Sequence, residues 1–284
     1  MRLLQCVKAG KFQLTRDFIR NDEIPPYAIL SHTWTDGEEV TFQDLTEGTG
    51  NDKAGFQKIR FCAEQAERDN LRYFWVDTCC IDKTNSVELQ EAINSMFRCY
   101  QKAARCYVYL SDVSTAKRKA GSLSSDPSAE STWELALKES RWFTRGWTLQ
   151  ELLAPLSVEF FSREGKRLGD KRSLEREINE TTGISISALK ETCLSGFSVH
   201  ERFKWAENRS TTRDEDQAYS LLGIFGIHMS LIYGEGKESA LKRLREKIDK
   251  PSKVCLRAPL CGEPVVTSIE PHQTRRRAQA CCTE

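Results

Sequence analysis

The sequence predicts an α/β fold: a parallel sheet flanked by helices, flavodoxin-like in plan, followed by a small helical subdomain. Three observations predict it. Short apolar and aromatic runs alternate with helical periods between about residues 27 and 162. That strand–helix–strand order requires crossover connections, and crossovers make parallel neighbours. After about residue 165 strand-like runs become scarce and helical periods take over.

Each element has its own signal. Tyr27-Ala-Ile-Leu-Ser31 is a compact apolar run after Pro25-Pro26 and reads as a buried strand. Phe56, Ile59, Ala63 and Ala66 recur at spacings of three and four, which line one helix face. Tyr73-Phe-Trp-Val-Asp77 is a second strand that ends in a carboxylate. Ser86 is placed to cap a helix whose core face holds Leu89, Ile93, Met96 or Phe97, and Tyr100. Cys106-Tyr-Val-Tyr-Leu110 and Val158-Glu-Phe-Phe161 are the third and fourth strands. Between Thr115 and Ser131 a Lys-, Ser-, Gly- and Ala-rich segment reads as a mobile loop. Further on, Ser198-Val-His-Glu201 is a capping box, opening a helix faced by Val199, Phe203 and Ala206. Asp214-Glu-Asp216 opens another, faced by Ala218, Leu221, Leu222 and Phe225. Leu241, Leu244 and Ile248 mark a third, which Pro251 ends. The expected division is an α/β core over 1–165, a helical part over 166–250 and a poorly ordered tail over 251–284.

Composition narrows the function. The 284 residues are 39% hydrophobic and 29% charged, as expected of a globular protein with a real core. With 42 basic and 41 acidic side chains the net charge is +1, so no global field favours nucleic acid. No apolar run approaches the roughly 20 residues that span a bilayer. Met1–Lys11 lacks the apolar stretch of a signal peptide. The 11 cysteines are odd in number and scattered, which reads as reduced thiols and a cytoplasmic location. With four histidines and no Cys-x-x-Cys pair, no metal site is expected.

Parallel sheets place ligands at the carboxyl ends of their strands. Here those ends carry Ser31-His32-Thr33-Trp34, Asp77 through Asp82, and Ser111-Asp112. The most informative stretch is Arg145 through Pro155. It puts Trp147 and Glu151 one turn apart on one helix face, with Leu149, Leu152 and Leu153 as anchors. Pro155 stops that helix. Such a helix is either plain structure or a site for a sugar or a nucleotide. Glu151 has two bland alternatives: a salt bridge to Arg145, or capping of neighbouring backbone. Trp147 reads as a core anchor or a stacking platform, His32 as a hydrogen-bonding structural residue or a base. Asp77 and Asp82 either contact ligand or cap the loop leading to Ser86. Cys79 and Cys80 offer a thiolate only if His32 lies beside them. For Asp214-Glu215-Asp216, helix-dipole acids explain the cluster more simply than Mg²⁺ does.

Five of these strings, taken in order, resemble the fungal heterokaryon-incompatibility (HET) domain. They are Tyr27 to Thr35, Trp75 to Lys83, Cys106 to Val113, Arg145 to Pro155 and Asp216 to Ile227. The likeness runs from the first residues to about residue 250. One departure is that Thr35-Asp36-Gly37 stands where the family motif usually continues directly into Gly. The resemblance implies a role in non-self recognition between fungal individuals, as an effector of growth arrest and cell death. It implies self-association or an NLR-type incompatibility partner. Neither a P-loop nor WD repeats accompany the motifs, so the chain is expected to be a solitary domain, a fragment or a truncated product.

The family is in turn similar to Toll/interleukin-receptor (TIR) domains, some of which cleave NAD at the nicotinamide–ribose bond. Trp147-Thr-Leu-Gln-Glu151-Leu152 looks like the TIR Trp-Cys-x-x-Glu-Leu pattern, with Thr148 in place of Cys. This likeness implies Glu151 as the catalytic residue and NAD as a substrate, with no permanently bound cofactor. Nicotinamide leaves neutral from a cationic start, so one carboxylate suffices where ordinary glycosidases need two. Glu151 would bind the ribose hydroxyls and stabilise the oxocarbenium-like charge. Trp147 or Trp34 would stack on a ring. Main-chain N–H groups after Ser31 would hold the pyrophosphate, and His32, Asp77 and Asp82 complete the expected contacts. The competing readings are a non-enzymatic module that works by self-association and a decoy left by truncation. The first reading requires Glu151, Trp147, Ser31 and Trp34 to converge on one pocket.

Overall fold

Seven strands and twelve α-helices make up the described part of the chain. In this computed structural model the described residues are 1–8, 10–20, 22–116, 132–190 and 193–250. The predicted loop between Thr115 and Ser131 and the tail 251–284 fall largely or wholly outside them. The strands are β1 (Leu4–Lys8), β2 (Lys11–Leu14), β3 (Tyr27–His32), β4 (Tyr73–Trp75), β5 (Arg105–Leu110), β6 (Val158–Ser162) and β7 (Arg167–Asp170). The helices in the first half are α1 (Phe42–Glu47), α2 (Ala54–Arg68), α3 (Asp77–Cys80), α4 (Ser86–Lys102), α5 (Thr132–Lys138) and α6 (Thr148–Leu153). The later ones are α7 (Glu175–Thr182), α8 (Ile186–Lys190), α9 (Val199–Lys204), α10 (Asp216–Tyr219), α11 (Leu222–Phe225) and α12 (Gly236–Asp249). The described residues up to 249 belong to one compact unit, Met1–Asp249.

The sheet order is β2-β1-β4-β3-β5-β6-β7. Its centre is parallel, as predicted: β3 pairs with β4 and β5, and β5 with β6. Its two edges are antiparallel, which the sequence reading missed. The β1–β2 hairpin joins β4 on one side, and β7 folds back on β6 on the other. The physical reason is that an antiparallel neighbour needs only a short turn. Gly165, at φ +73°, supplies the left-handed residue of the β6–β7 turn. The Tyr73 run is also shorter as a strand than expected. It ends at Trp75, and Asp77 opens α3 instead of closing β4.

Side-chain alternation decides which helix each strand residue meets. Tyr107 reaches α2, where its hydroxyl meets Asp69 at 2.6 Å, and Tyr109 stacks near Phe61 at 5.0 Å. Cys106 points the other way, toward the carbonyl of Glu151 in α6. Both faces of the sheet are therefore covered, and all six residues of β3 are buried. Phe56, Ile59 and Ala66 of α2 and Ile93, Met96 and Tyr100 of α4 are buried, on the faces predicted. The cap of α4 is Asn85, one residue before the expected Ser86; its side chain accepts from Val87 and Glu88 N–H. The Ser198 capping box forms as expected. The single helix expected from Asp214 is instead two short ones, α10 and α11. Gly223 in α11 lies against Phe97 of α4, where a Cβ would come within 2.0 Å of that side chain.

Phe160 is fully buried and meets Trp142 edge-on at 5.6 Å and Phe143 at 6.3 Å. Truncation of a buried phenylalanine loses transfer energy and leaves a cavity. Phe160→Ala is expected to destabilise the fold by about 3–5 kcal/mol, read from the midpoint of denaturant unfolding.

Candidate functional site

The Trp147–Glu151 segment folds as the sequence implies, and its surroundings explain why it cannot slide. Leu149, Leu152 and Leu153 are buried and hold α6 in the core. At its start the Thr148 hydroxyl donates to the carbonyl of Trp142 at 2.5 Å and accepts from Arg209 at 2.9 Å. At its end Lys171, beside β7, donates to the carbonyls of Leu152 (3.2 Å) and Pro155 (2.7 Å). A cation there satisfies carbonyls that a helix end leaves open.

Glu151 is 8% exposed. Its carboxyl accepts a hydrogen bond from the Ser31 hydroxyl, and the Ser31 oxygen in turn accepts from the Trp142 indole N–H at 2.8 Å. Neither expected bland partner is used. Arg145 bonds to Thr212 at 2.9 Å, and among the described residues no ion pair involves Glu151. Burial pushes the Glu151 carboxyl up to about 8, and the nearby charge of Asp77 adds to the rise. The Ser31 and Tyr100 hydroxyls and Arg209 act the other way without cancelling it. At neutral pH that rise leaves Glu151 largely protonated.

A cavity of about 570 Å³ opens over this carboxyl. Five of the sequence-predicted residues line it: Glu151, Trp147, Trp34, His32 and Asp77. Ser31 lies behind the wall as the support of Glu151. Asp82 stays apart; its carboxylate receives Thr84 N–H at 3.0 Å and Gln43 at 3.1 Å, which ties the loop before α4. Trp34 is 43% exposed at the edge, with the Lys83 ammonium 3.7 Å from its ring centroid. Trp147 is half-buried, and its indole donates to Asp216 at 3.1 Å. His32 lies beside Glu39, Nε2 to Oε2 at 3.4 Å, and not beside a cysteine in any hydrogen bond. Burial favours the neutral form of Glu39, but His32 and Lys58 together hold its carboxyl down to about 2. Cys79 is fully buried and its thiol is pushed well up by that burial, which disfavours a thiolate there.

The wall that sequence reasoning missed comes from the C-terminal helical part, mostly from the turns between its helices. Thr212, Arg213, Asp216 and Tyr233 line the same cavity, and the Tyr233 hydroxyl donates to Asp216 at 3.0 Å. Gly146 makes the seam. Its N–H donates to Ser210 at 2.8 Å, and a Cβ there would come within 2.4 Å of Thr211. The acidic triplet has structural duties here: Glu215 accepts the N–H groups of Gly234 and Gly236, and Asp216 holds Trp147 and Tyr233. Among the described residues no group of three or more His, Cys, Asp or Glu is arranged to hold a metal ion.

A buried carboxyl and two indoles, Trp34 exposed and Trp147 half-buried, thus share one cavity beside the parallel centre of the sheet. Residues 27–151 match the family model described as "Heterokaryon incompatibility protein (HET)", so the chain carries a HET domain, as its motifs predicted. It is 61% identical over 251 residues to "Vegetative incompatibility protein HET-E-1" of Podospora anserina. That alignment covers 88% of this chain and 18% of the relative, so the chain spans under a fifth of that protein's length. No solved structure matches it. Among the described residues no helix is long and apolar enough to cross a membrane.

The raised Glu151 carboxyl makes a stability prediction. Unfolded, the group returns to the ordinary glutamate range, so between about 4.5 and 8 the folded chain binds more protons than the unfolded one. Stability attributable to this group therefore falls as pH rises through that window. Glu151→Gln keeps the shape and removes the titration. At pH 8.5 it is expected to be more stable than wild type by roughly 4 kcal/mol, with most of the gap closing at pH 5. Paired thermal melts at the two pH values check this.

Proposed function

We propose that this HET domain acts in vegetative incompatibility, as an effector of non-self recognition, by hydrolysing the N-glycosidic bond of NAD or a closely related nucleotide in the Glu151 cavity. The observation that carries the reading is the convergence of Glu151, Trp147 and Trp34 on one cavity, with Ser31 bonded to the carboxyl from behind. Similarity to the 61% identical vegetative incompatibility protein supports the biological role. The similarity of the Trp147–Leu152 string to the TIR pattern supports the chemistry. The cavity volume falls inside the range of small-molecule sites, about 300–1,000 Å³.

In this mechanism a ribose hydroxyl and the developing oxocarbenium charge face the Glu151 carboxylate. The C–N bond breaks with its electron pair going to the nicotinamide ring, which leaves neutral. Water forms the new C–O bond and releases one proton. The cationic substrate favours ionisation of Glu151, because a positive charge beside a carboxyl lowers its pKa. The charge then strengthens in a site that excludes water. The self-association reading draws less support from the site, since the Glu151 carboxyl accepts from Ser31 and faces the cavity. The triggering partner acts through the rest of a longer protein or through a second copy of this domain, and cell death is the expected outcome of NAD loss.

NAD turnover by the purified protein at high local concentration tests this. Wild type is expected to release nicotinamide, and Glu151→Gln to lose at least about 100-fold in rate. The wild-type kcat/KM is expected to climb through about pH 8, since the ionised carboxyl is the reactive form. Silence from folded, self-associated wild type, or equal rates in both proteins, contradicts the reading.

A further inference from the structure

Four cations line the cavity: Lys83, Arg141, Arg145 and Arg213. Lys83, Arg141 and Arg213 are exposed and Arg145 is half-buried, so they stand at the rim while Glu151 lies at the bottom. Among the described residues none of the four is neutralised by an ion pair. Cations elsewhere commonly are: Arg2 pairs with Glu88, Lys58 with Glu39 and Arg243 with Glu235. Two of the four ride on aromatic rings of the same wall. Lys83 is 3.7 Å from the Trp34 centroid and Arg213 is 4.2 Å from that of Tyr233. Each pair presents an apolar ring and a positive charge side by side.

The backbone after Ser31, the anion site expected from the sequence, is partly committed already. Ser31 and His32 are inside β3, and the N–H of Thr35 is already taken by Glu39 at 2.9 Å. No glycine-rich phosphate loop precedes a helix here.

We infer that Lys83, Arg141, Arg145 and Arg213 form a pyrophosphate-binding rim, so that the cavity takes a nucleotide diphosphate core such as ADP-ribose, with its ribose end toward Glu151. This rests on the reading of the cavity as a nucleotide site and assigns it a substrate class. Arginine and lysine suit the role because their N–H groups give charge-assisted bonds to phosphate oxygens. The inference also gives the C-terminal helices a direct part in recognition, since Arg213 and Tyr233 lie beyond the residues that match the family model.

The test measures binding apart from turnover. ADP-ribose and inorganic pyrophosphate are titrated calorimetrically into full-length Glu151→Gln, with and without Arg141→Gln and Arg213→Gln added, and thermal melts confirm folding. The added substitutions are expected to weaken ADP-ribose by about tenfold or more, and 0.5 M salt to weaken it in the parent protein. Lys83→Gln alone, at an exposed position, is the second variant should the paired one melt early; a several-fold loss is expected. Affinity that ignores both the substitutions and salt overturns the inference, as does absence of binding by either probe. Wild-type NAD turnover with charge-insensitive ADP-ribose binding sinks the rim and spares the hydrolase. Rim-dependent ADP-ribose binding without any NAD turnover does the reverse.

Discussion

Burial of the Glu151 carboxyl beneath the chain Trp142–Ser31–Glu151 is the interaction on which the rest of the site depends. The indole N–H donates to the serine oxygen, and the serine hydroxyl donates to the carboxyl. Every member is buried, so the chain has to be satisfied internally. It joins β3 to the turn before α6 and to α6 itself, three pieces far apart in sequence. It also fixes which face of β3 looks toward the cavity. A serine within a strand of six buried residues is satisfied here by that carboxyl and by the Trp142 indole.

The supports around it follow from the same constraint. A carboxyl whose pKa is lifted to about 8 destabilises the fold at higher pH, so the surrounding structure has to supply stability elsewhere. Lys171 and Arg209 pin the two ends of α6, and the leucines on its far side fill the core. Trp147 and Arg145 then bond outward to Asp216 and Thr212, which brings the C-terminal helices over the cavity. The cavity is thus built by the sheet and completed by the helical part, within the single unit Met1–Asp249.

What could be read in the sequence was whatever has a short-range signal. The apolar runs of β3, β5 and β6, the periodic faces of α2 and α4, and the α6 stretch with its proline stop all announce themselves locally. The edge strands did not. Lys11–Leu14 alternates between exposed and half-buried residues, and Arg167–Asp170 is polar and carries Gly169. A short edge strand with one solvated side leaves little hydrophobic pattern to read. For the site, Glu151, Trp147, Trp34, His32 and Asp77 were named from strand ends and from the Trp–Glu spacing. Ser31 was named as a ligand contact, and the structure places it buried and bonded to Glu151. Lys83 sat in a quoted motif without a role, and its contact with Trp34 depends on how the loop after β4 turns back. Arg213 and Tyr233 carry no local signal; only the docking of Gly146 against Thr211 brings them in.

The state of the Glu151 carboxyl at neutral pH is the central claim, and isotope-edited infrared spectroscopy reads it directly. The protein is labelled on glutamate side-chain carboxyls and compared with Glu151→Gln across pH 5–9. The account predicts one protonated carboxyl band at pH 7 that is missing in the variant and fades with a midpoint near 8. A wild-type spectrum with all glutamates ionised by pH 6 contradicts it, and would make Glu151 an ordinary carboxylate in a wetter site than the one described.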